Sequence, residues 1–473
     1  ILCAVPAEEA PTMSPPIIRF IILVLAALYI TSVLSNMNAY NFTKICYDPW
    51  NRSTNRTKTG ERYSKIEQSA LQSSVAIGAL AAGVPYSILL QKYDRRLVFL
   101  SAGVISTVAT ALIPMADGGG FWPFLIGRIV QGVGFSPAFA MMGAATTAWA
   151  PLTEHGFFLA VLTGCMQLAN IITMPVAGVI CSSSLGWPAV FYVHAGASAV
   201  LFALWAVFYR DTPGTHFLVG TQELARIGRE RTAEEDRSNV PVPYGALLRS
   251  KCIWAVWIAA FGDLVCTQLI SMYNPIFMNT FLQFTVMTSG FYAALPVVAQ
   301  HVFKIIAGII SDAVTCVDET TKVRLFNSLA LGVSGLLFIA LGFVSRDATG
   351  LAVVLLILTM GTLGTHSAGF NKCATLHARQ HSHFVMAMIV NIWGLAILVE
   401  PYVAEAILVD RTSPSQWRAL FVGHGVVLLA TNAIFVFLAD ARPAIWTLEQ
   451  KRPLAVSVSQ GAPLRRLTAA KLS

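Results

Sequence analysis

Apolar runs of about twenty residues recur along this chain, separated by short polar or charged breaks. They fall near 17–36, 69–90, 97–115, 121–148, 157–181 and 189–209, and again near 252–277, 289–311, 325–344, 351–376, 384–408 and 418–438. A bilayer core about 30 Å thick needs roughly 20 mostly apolar residues per helix, so each run predicts one crossing. A polar stretch, 210–251, divides the runs into two sets of six and carries the charged series from Arg226 to Arg237. Six runs, a charged linker and six more runs make the layout of a duplicated transporter. The pattern predicts an all-α membrane protein with twelve transmembrane helices in two six-helix halves. The halves span 17–209 and 252–438, with an N-terminal segment at 1–16, the linker at 210–251 and a tail at 439–473.

Composition supports that reading and narrows it. Only 12% of the residues are charged and the mean hydropathy is +0.64, whereas a soluble domain carries about a quarter charged residues. The missing polar surface must be replaced by lipid. The net charge of +8 reads as topology and not as nucleic-acid binding. With the N-terminus in the cytoplasm, Arg19, Lys92, Arg95, Arg96, the linker, Lys322, Arg324, Lys372, Arg379 and the tail all fall on the cytoplasmic side. That is the distribution the positive-inside rule expects, and it predicts both termini inside. The first loop falls outside. There the patterns at Asn41, Asn51 and Asn55 are candidate glycosylation acceptors, Asn51 and Asn55 the better placed because Asn41 sits close to the membrane. The chain opens on Ile1, so N-terminal residues are expected to be missing, and 1–16 is not read as a signal peptide.

The eight cysteines stand singly, without a Cys-x-x-Cys pair, so neither a zinc site nor a disulfide framework is expected. No phosphate-binding loop, nucleophile elbow or His-Glu-x-x-His motif is present. An enzyme and an ATP-driven pump are therefore not expected, no cofactor is implied, and energy would come from an ion or solute gradient.

Two segments at matching places in the halves carry a family resemblance. Gly83-Val84-Pro85-Tyr86 through Gln91-Lys92-Tyr93-Asp94-Arg95-Arg96 resembles, in degraded form, the cytoplasmic helix 2–3 signature of the major facilitator superfamily. Gly308-Ile309-Ile310-Ser311-Asp312 is its counterpart. The resemblance implies that Lys92, Arg95, Arg96 and Asp312 close the cytoplasmic side through charge pairs; alternatively, the basic residues only anchor a loop at the headgroups. Arg128-Ile129-Val130-Gln131-Gly132-Val133-Gly134, Trp149-Ala150-Pro151, Gly164-Cys165-Met166-Gln167, Pro175-Val176-Ala177-Gly178, Asp211-Thr212-Pro213 and Ala294-Leu295-Pro296 are similar in order and spacing to the anion:cation symporter family. That family includes sialin, the vesicular glutamate transporters and the sodium–phosphate cotransporters. The stretch from Arg379 to Phe384 resembles a divergent invertebrate branch.

The resemblance implies a small anionic solute, with Arg128 as its main contact in a central cavity. An arginine at the centre of a membrane helix costs about 2.5–3.5 kcal/mol on insertion scales, so it needs a partner or a wet cavity. The alternative is an arginine that only braces helices through carbonyls. Lys304 and His301, three residues apart on one helix face, are further solute candidates, as are Asn36, Gln131, Gln167, Gln268 and Asn391. Asp263 and Glu400 are the candidate acids for coupling to a proton or sodium ion. The chain departs from the family where Asn36 replaces an arginine, Gln131 and Phe135 replace acids, Gly143 replaces a histidine and Gln268 replaces a tyrosine. These changes put the family's proton route in question. The expected function is secondary transport of a small anion by a monomer in the bilayer. Open alternatives are an uncoupled uniporter and a multi-pass receptor or scaffold that binds without translocating.

Overall fold

The computed structural model describes residues 17–46, 63–151, 154–228 and 242–448, and every regular element among them is a helix. Among the described residues eleven helical stretches are long and apolar enough to cross a membrane. The first nine are α1 (Ile18–Thr43), α2 (Lys65–Lys92), α3 (Arg95–Gly118), α4 (Phe121–Trp149), α5 (His155–Ser182), α6 (Gly186–Phe208), α7 (Lys251–Phe281), α8 (Val286–Ala313) and α9 (Glu319–Gly342). The tenth, Thr349–Ile407, has 59 residues, roughly three times what one crossing needs. It breaks at Arg379, where the backbone takes a positive φ of 42°.

The chain reverses at that break. Leu356 packs near Tyr273 at the far end of α7, and Cys373 meets Cys252 at its start. Val385 then meets Trp257, and Pro401 meets Tyr273. The stretch is therefore two crossings, α10 (349–378) and α11 (Ser382–Ile407), and α12 (Pro414–Leu438) completes twelve.

Local chemistry starts the helices where the polar breaks fall. Ser64 and Glu67 form a reciprocal capping box at α2, Asp94 caps α3, Thr285 caps α8, and Pro414 opens α12. Each cap satisfies backbone N–H groups that the first helical turn leaves unpaired.

The halves share one packing scheme. In the first, α1 packs on α5 and α6, α4 on α2 and α3, and α6 on α3. Adding six to every label gives the contacts of the second half. The halves meet chiefly where α5 lies on α8 and α2 lies on α11. Backbones touch at the first seam: a Cβ on Gly290 would stand 2.6 Å from the Met174 carbonyl oxygen. Side chains such as Ile77, Val104, Val108 and Leu336 are exposed and line neither cavity, the surface a lipid-facing helix presents.

Two expectations need correction. Cys46 and Cys181 form a disulfide joining the ends of α1 and α5. Solitary cysteines far apart in sequence gave no hint, because the helical hairpins bring them together. Asn41 lies within α1, only 4% exposed, and lines a cavity between the halves. Its buried amide leaves no room for a glycan, so it is a cavity residue and not an acceptor. Asn51 and Asn55 lie outside the described residues.

Candidate solute site

A cavity of about 170 Å³ lies between the halves, walled by α1, α2, α4, α5, α7, α8, α10 and α11. Arg128, 1% exposed, reaches it from α4. Its Nε donates to the Leu71 carbonyl at 3.1 Å, and Nη1 donates to the Met37 carbonyl at 2.9 Å and to Gln131 Oε1 at 2.7 Å. The guanidinium carbon stands 4.8 Å from the centre of the Tyr40 ring, a distance at which the ring face attracts a cation. Two nitrogens brace α4 against α1 and α2, and the third, Nη2, has no hydrogen-bond partner among the described residues.

Amides surround the cation: Asn38, Asn41, Gln72, Gln167, Asn170, Gln268 and Gln300 line the cavity together with Met37, Met166, Met272 and Met360. Asp263, 1% exposed, belongs to the same wall. His366 on α10 places Nδ1 3.5 Å from Asp263 Oδ1, while that nitrogen lies 2.8 Å from the Leu363 carbonyl oxygen. Sequence reading missed His366 because it follows a run of small residues and shares no helix with Asp263. It also missed Tyr40, which has no signature beyond an aromatic ring three turns along α1 from Tyr29.

Gln167, Gln268 and Asp263 thus line the cavity with Arg128, and the other predicted solute and coupling residues do not. Asn36 faces helix packing: its Nδ2 donates to Ser106, its Oδ1 accepts from Ser198, and its carbonyl accepts from Gln131. Gln131 also donates to Thr110, so it holds Arg128 in place from behind the cavity wall. His301 packs against Gly164, filling the space a Cβ there would need. Lys304, half-buried beside Cys165, is not part of the wall. Glu400 pairs with His424 at 3.2 Å, away from the cavity. Asn391 lines a neighbouring cavity of about 370 Å³ that runs between α2, α4 and α11.

That second cavity extends to Tyr86, Ser87 and Leu90, toward the face where the linker lies. It shares Phe139 and Trp393 with the central cavity. Phe135 and Phe139 of α4 each stand 5.6 Å from the Trp393 ring of α11, an aromatic barrier between the two spaces. The opposite, hairpin face is held by charge. Glu405 of α11 meets Arg411 at 2.8 Å, Lys44 at 3.4 Å and Lys65 at 3.5 Å, and Arg411 donates to Gln68 at 2.7 Å. Tyr273 Oη lies 3.2 Å from Gln72 Oε1 and 3.3 Å from Glu405 Oε1. This cluster joins α1 and α2 to α7 and α11 across the seam.

The predicted gating residues behave differently. Asp312 pairs with Lys372 at 2.9 Å inside the second half. The Arg95 backbone donates to Asp211, and the Arg96 side chain donates to the Ala206 carbonyl, both inside the first half. Lys92 is exposed. None of these contacts crosses the seam. Among the described residues no group of three or more His, Cys, Asp or Glu side chains gathers as a metal site.

Two sets of helices repeated by six around a shared polar cavity define a solute transporter fold. Residues 17–401 match the family model for the Major Facilitator Superfamily, and the chain belongs to that family. Its relatives are those the anion:cation symporter motifs point to. The mouse Sodium-dependent phosphate transport protein 3 is 25% identical over 82% of this chain and 81% of its own length. Human Sodium-dependent phosphate transport protein 1 is 26% identical over 81% and 82%, and human Sialin is 24% identical over 83% and 79%. The crystal structure of a D-xylose–proton symporter superposes with a TM-score of 0.67 at 13% identity, covering 89% of this chain and 98% of that one. A bacterial homologue of the human lysosomal transporter Spinster, in an inward-facing conformation, gives 0.61 at 14% identity, covering 90% and 96%. These likenesses carry the fold.

Proposed function

We propose that the chain carries a small anion by alternating access, binding it at Arg128 Nη2 in the central cavity. The single observation behind this is a buried, cavity-lining guanidinium with two nitrogens fixed by carbonyl and amide oxygens and the third without a partner among the described residues. A charge-assisted hydrogen bond to a carboxylate or phosphate oxygen would complete it. One cation, a set of neutral amides and the single carboxylate of Asp263 suit one negative charge better than two. Phosphate enters as a candidate through the relatives' names, and a small monocarboxylate fits the same chemistry.

The hairpin face is assigned to the outside and the linker face to the cytoplasm. Two independent observations support this: the Lys and Arg distribution and the Cys46–Cys181 disulfide, which belongs on an oxidising side. The closed polar cluster on the hairpin face, with the second cavity leading toward the linker face, corresponds to an inward-facing state. Every wall comes from one chain, so a monomer suffices. Coupling to sodium or a proton is part of the proposal, as the relatives' names include sodium dependence.

The test is uptake of inorganic phosphate and a panel of small mono- and dicarboxylates into proteoliposomes. Arg128→Gln should lower uptake of the carried anion at least a hundredfold, with unchanged elution of the purified protein. Loss of one charged hydrogen bond and of Coulomb attraction in a low-dielectric site supports that size. Unchanged uptake by the variant would sink the assignment, and binding without uptake by the wild type would favour a receptor.

A further inference from the structure

α7 faces α5 across the central cavity, where Asn170 Nδ2 donates to Ser271 Oγ at 3.2 Å, and the wall beside that contact carries oxygens that the protein leaves unbonded. Asp263 is 1% exposed, yet its Oδ1 has no hydrogen-bond partner among the described residues. Thr267 follows one turn later on the same face of α7, and its buried Oγ1 is likewise unpartnered. Gln167, on α5 in the other half, has a buried Oε1 in the same condition. All three line the central cavity. A buried acceptor without a donor is destabilising, and a charged one more so. A carboxylate, a hydroxyl and an amide oxygen together call for a ligand that needs only acceptors.

The neighbours do not supply it. His366 Nδ1 faces Asp263 from α10 at 3.5 Å, but stands closer, at 2.8 Å, to the Leu363 carbonyl. Lys304 on α8 lies within electrostatic range of Asp263 without lining the cavity. Cys266 shares α7 with Asp263, and Glu400 on α11 is engaged by His424. Oxygen donors without thiolate or several imidazoles favour a hard ion over a transition metal.

We propose that Asp263, Thr267 and Gln167 form a binding site for a small monovalent cation, either Na⁺ or the ammonium head of the carried solute. Resting on the anion-transport reading, this site supplies the coupling ion where its occupant is Na⁺, and holds the solute's own positive charge where the occupant is an ammonium head. The ligands come from both halves, so the site is complete only while α5 and α7 are together. A cation held there offsets the charge of Asp263 beside an anion held at Arg128.

The experiment is ²²Na⁺ binding to the purified full chain in detergent, with no anion added beyond chloride. Saturable binding is expected, displaced by unlabelled Na⁺ or methylammonium and not by choline. Asp263→Asn should abolish it, and the near-isosteric Thr267→Val should weaken it at least tenfold while eluting as the wild type does. Glu400→Gln, a buried acid outside the cavity, should stay within twofold. Saturable binding of labelled methylammonium in place of Na⁺ supports the site and assigns it to the solute's ammonium head. Absence of binding of both cations to the wild type overturns the proposal, as does binding that survives both α7 substitutions or falls equally in Glu400→Gln. The assay involves no flux, so a negative Arg128→Gln uptake result with intact cation binding would remove the anion reading alone.

Discussion

The two faces of this molecule close by different physics. At the hairpin face, Glu405 gathers Lys44, Lys65 and Arg411 across the seam, with Tyr273 and Gln68 completing the cluster. At the linker face, the seam is spanned by Phe135, Phe139 and Trp393, while Asp312–Lys372 stays within one half. A buried charge cluster is costly to break piecemeal, because removing one member leaves its partners uncompensated. Ring contacts are individually small and slide without stranding a charge. The difference describes a door with a firm latch on one side and a soft barrier on the other.

The largest expected effect tests the latch. Glu405→Gln leaves three cations facing one neutral amide, and breaking a buried pair costs about 3–5 kcal/mol. The hairpin face should then open, raising the reaction rate of a reporter Ser73→Cys with a membrane-impermeant thiol reagent from that side about a hundredfold or more. Asp312→Asn, whose side chain is 79% exposed, should change the same rate by less than about threefold, as exposed pairs contribute about 0–1 kcal/mol. Equal effects would mean that the signature residues, and not Glu405, govern closure. An intermediate effect belongs to the soft side. Trp393→Ala removes two edge contacts of about 0.5–1.5 kcal/mol each. Labelling of Ser271→Cys from the linker side should rise roughly tenfold, and no increase would show that the rings do not bar the path.

This contrast also marks what was legible in the sequence. The twelve crossings were readable because lipid imposes a length and a polarity on each one, and the chain reversal at Arg379 fell between two separate runs. Arg128 was readable because an arginine in a membrane helix demands a reason. Which of its nitrogens would brace and which would remain was not, since Met37 and Leu71 offer backbone carbonyls that any residues would offer. Asn36 and Gln131 look identical in sequence to Gln167 and Gln268; only the rotation of each helix separates a packing amide from a cavity amide. Glu405 lies at a helix end among Ala404, Ala406 and Ile407, where an acid ordinarily meets headgroups and water. Its partners come from three separate segments, so no local pattern announces it. The Cys46–Cys181 bond was hidden for the same reason.

The smallest effect concerns how firmly the linker face itself is held. Asp211, just past α6, accepts from the Arg95 backbone at 2.8 Å and lies beside Asp94, the residue that caps α3. Partial burial, and then the neighbouring Asp94 carboxyl, push its pKa up from the usual carboxylate range to about 6. A raised folded-state pKa means the protonated acid is favoured in the packed turn, so its contribution is full below about pH 4 and is lost as pH rises through about 6. Amide exchange in residues 209–216 should therefore quicken between pH 5 and pH 7 beyond the intrinsic chemical trend. Exposure to solvent screens the effect, which keeps it to a few-fold change in protection. Asp211→Asn keeps an acceptor for Arg95 without the charge and should flatten that pH dependence. The hairpin face should show no such change, because Glu405 is held by three cations. Persistence of the pH dependence in Asp211→Asn would assign it to another titratable group and remove Asp211 as its source.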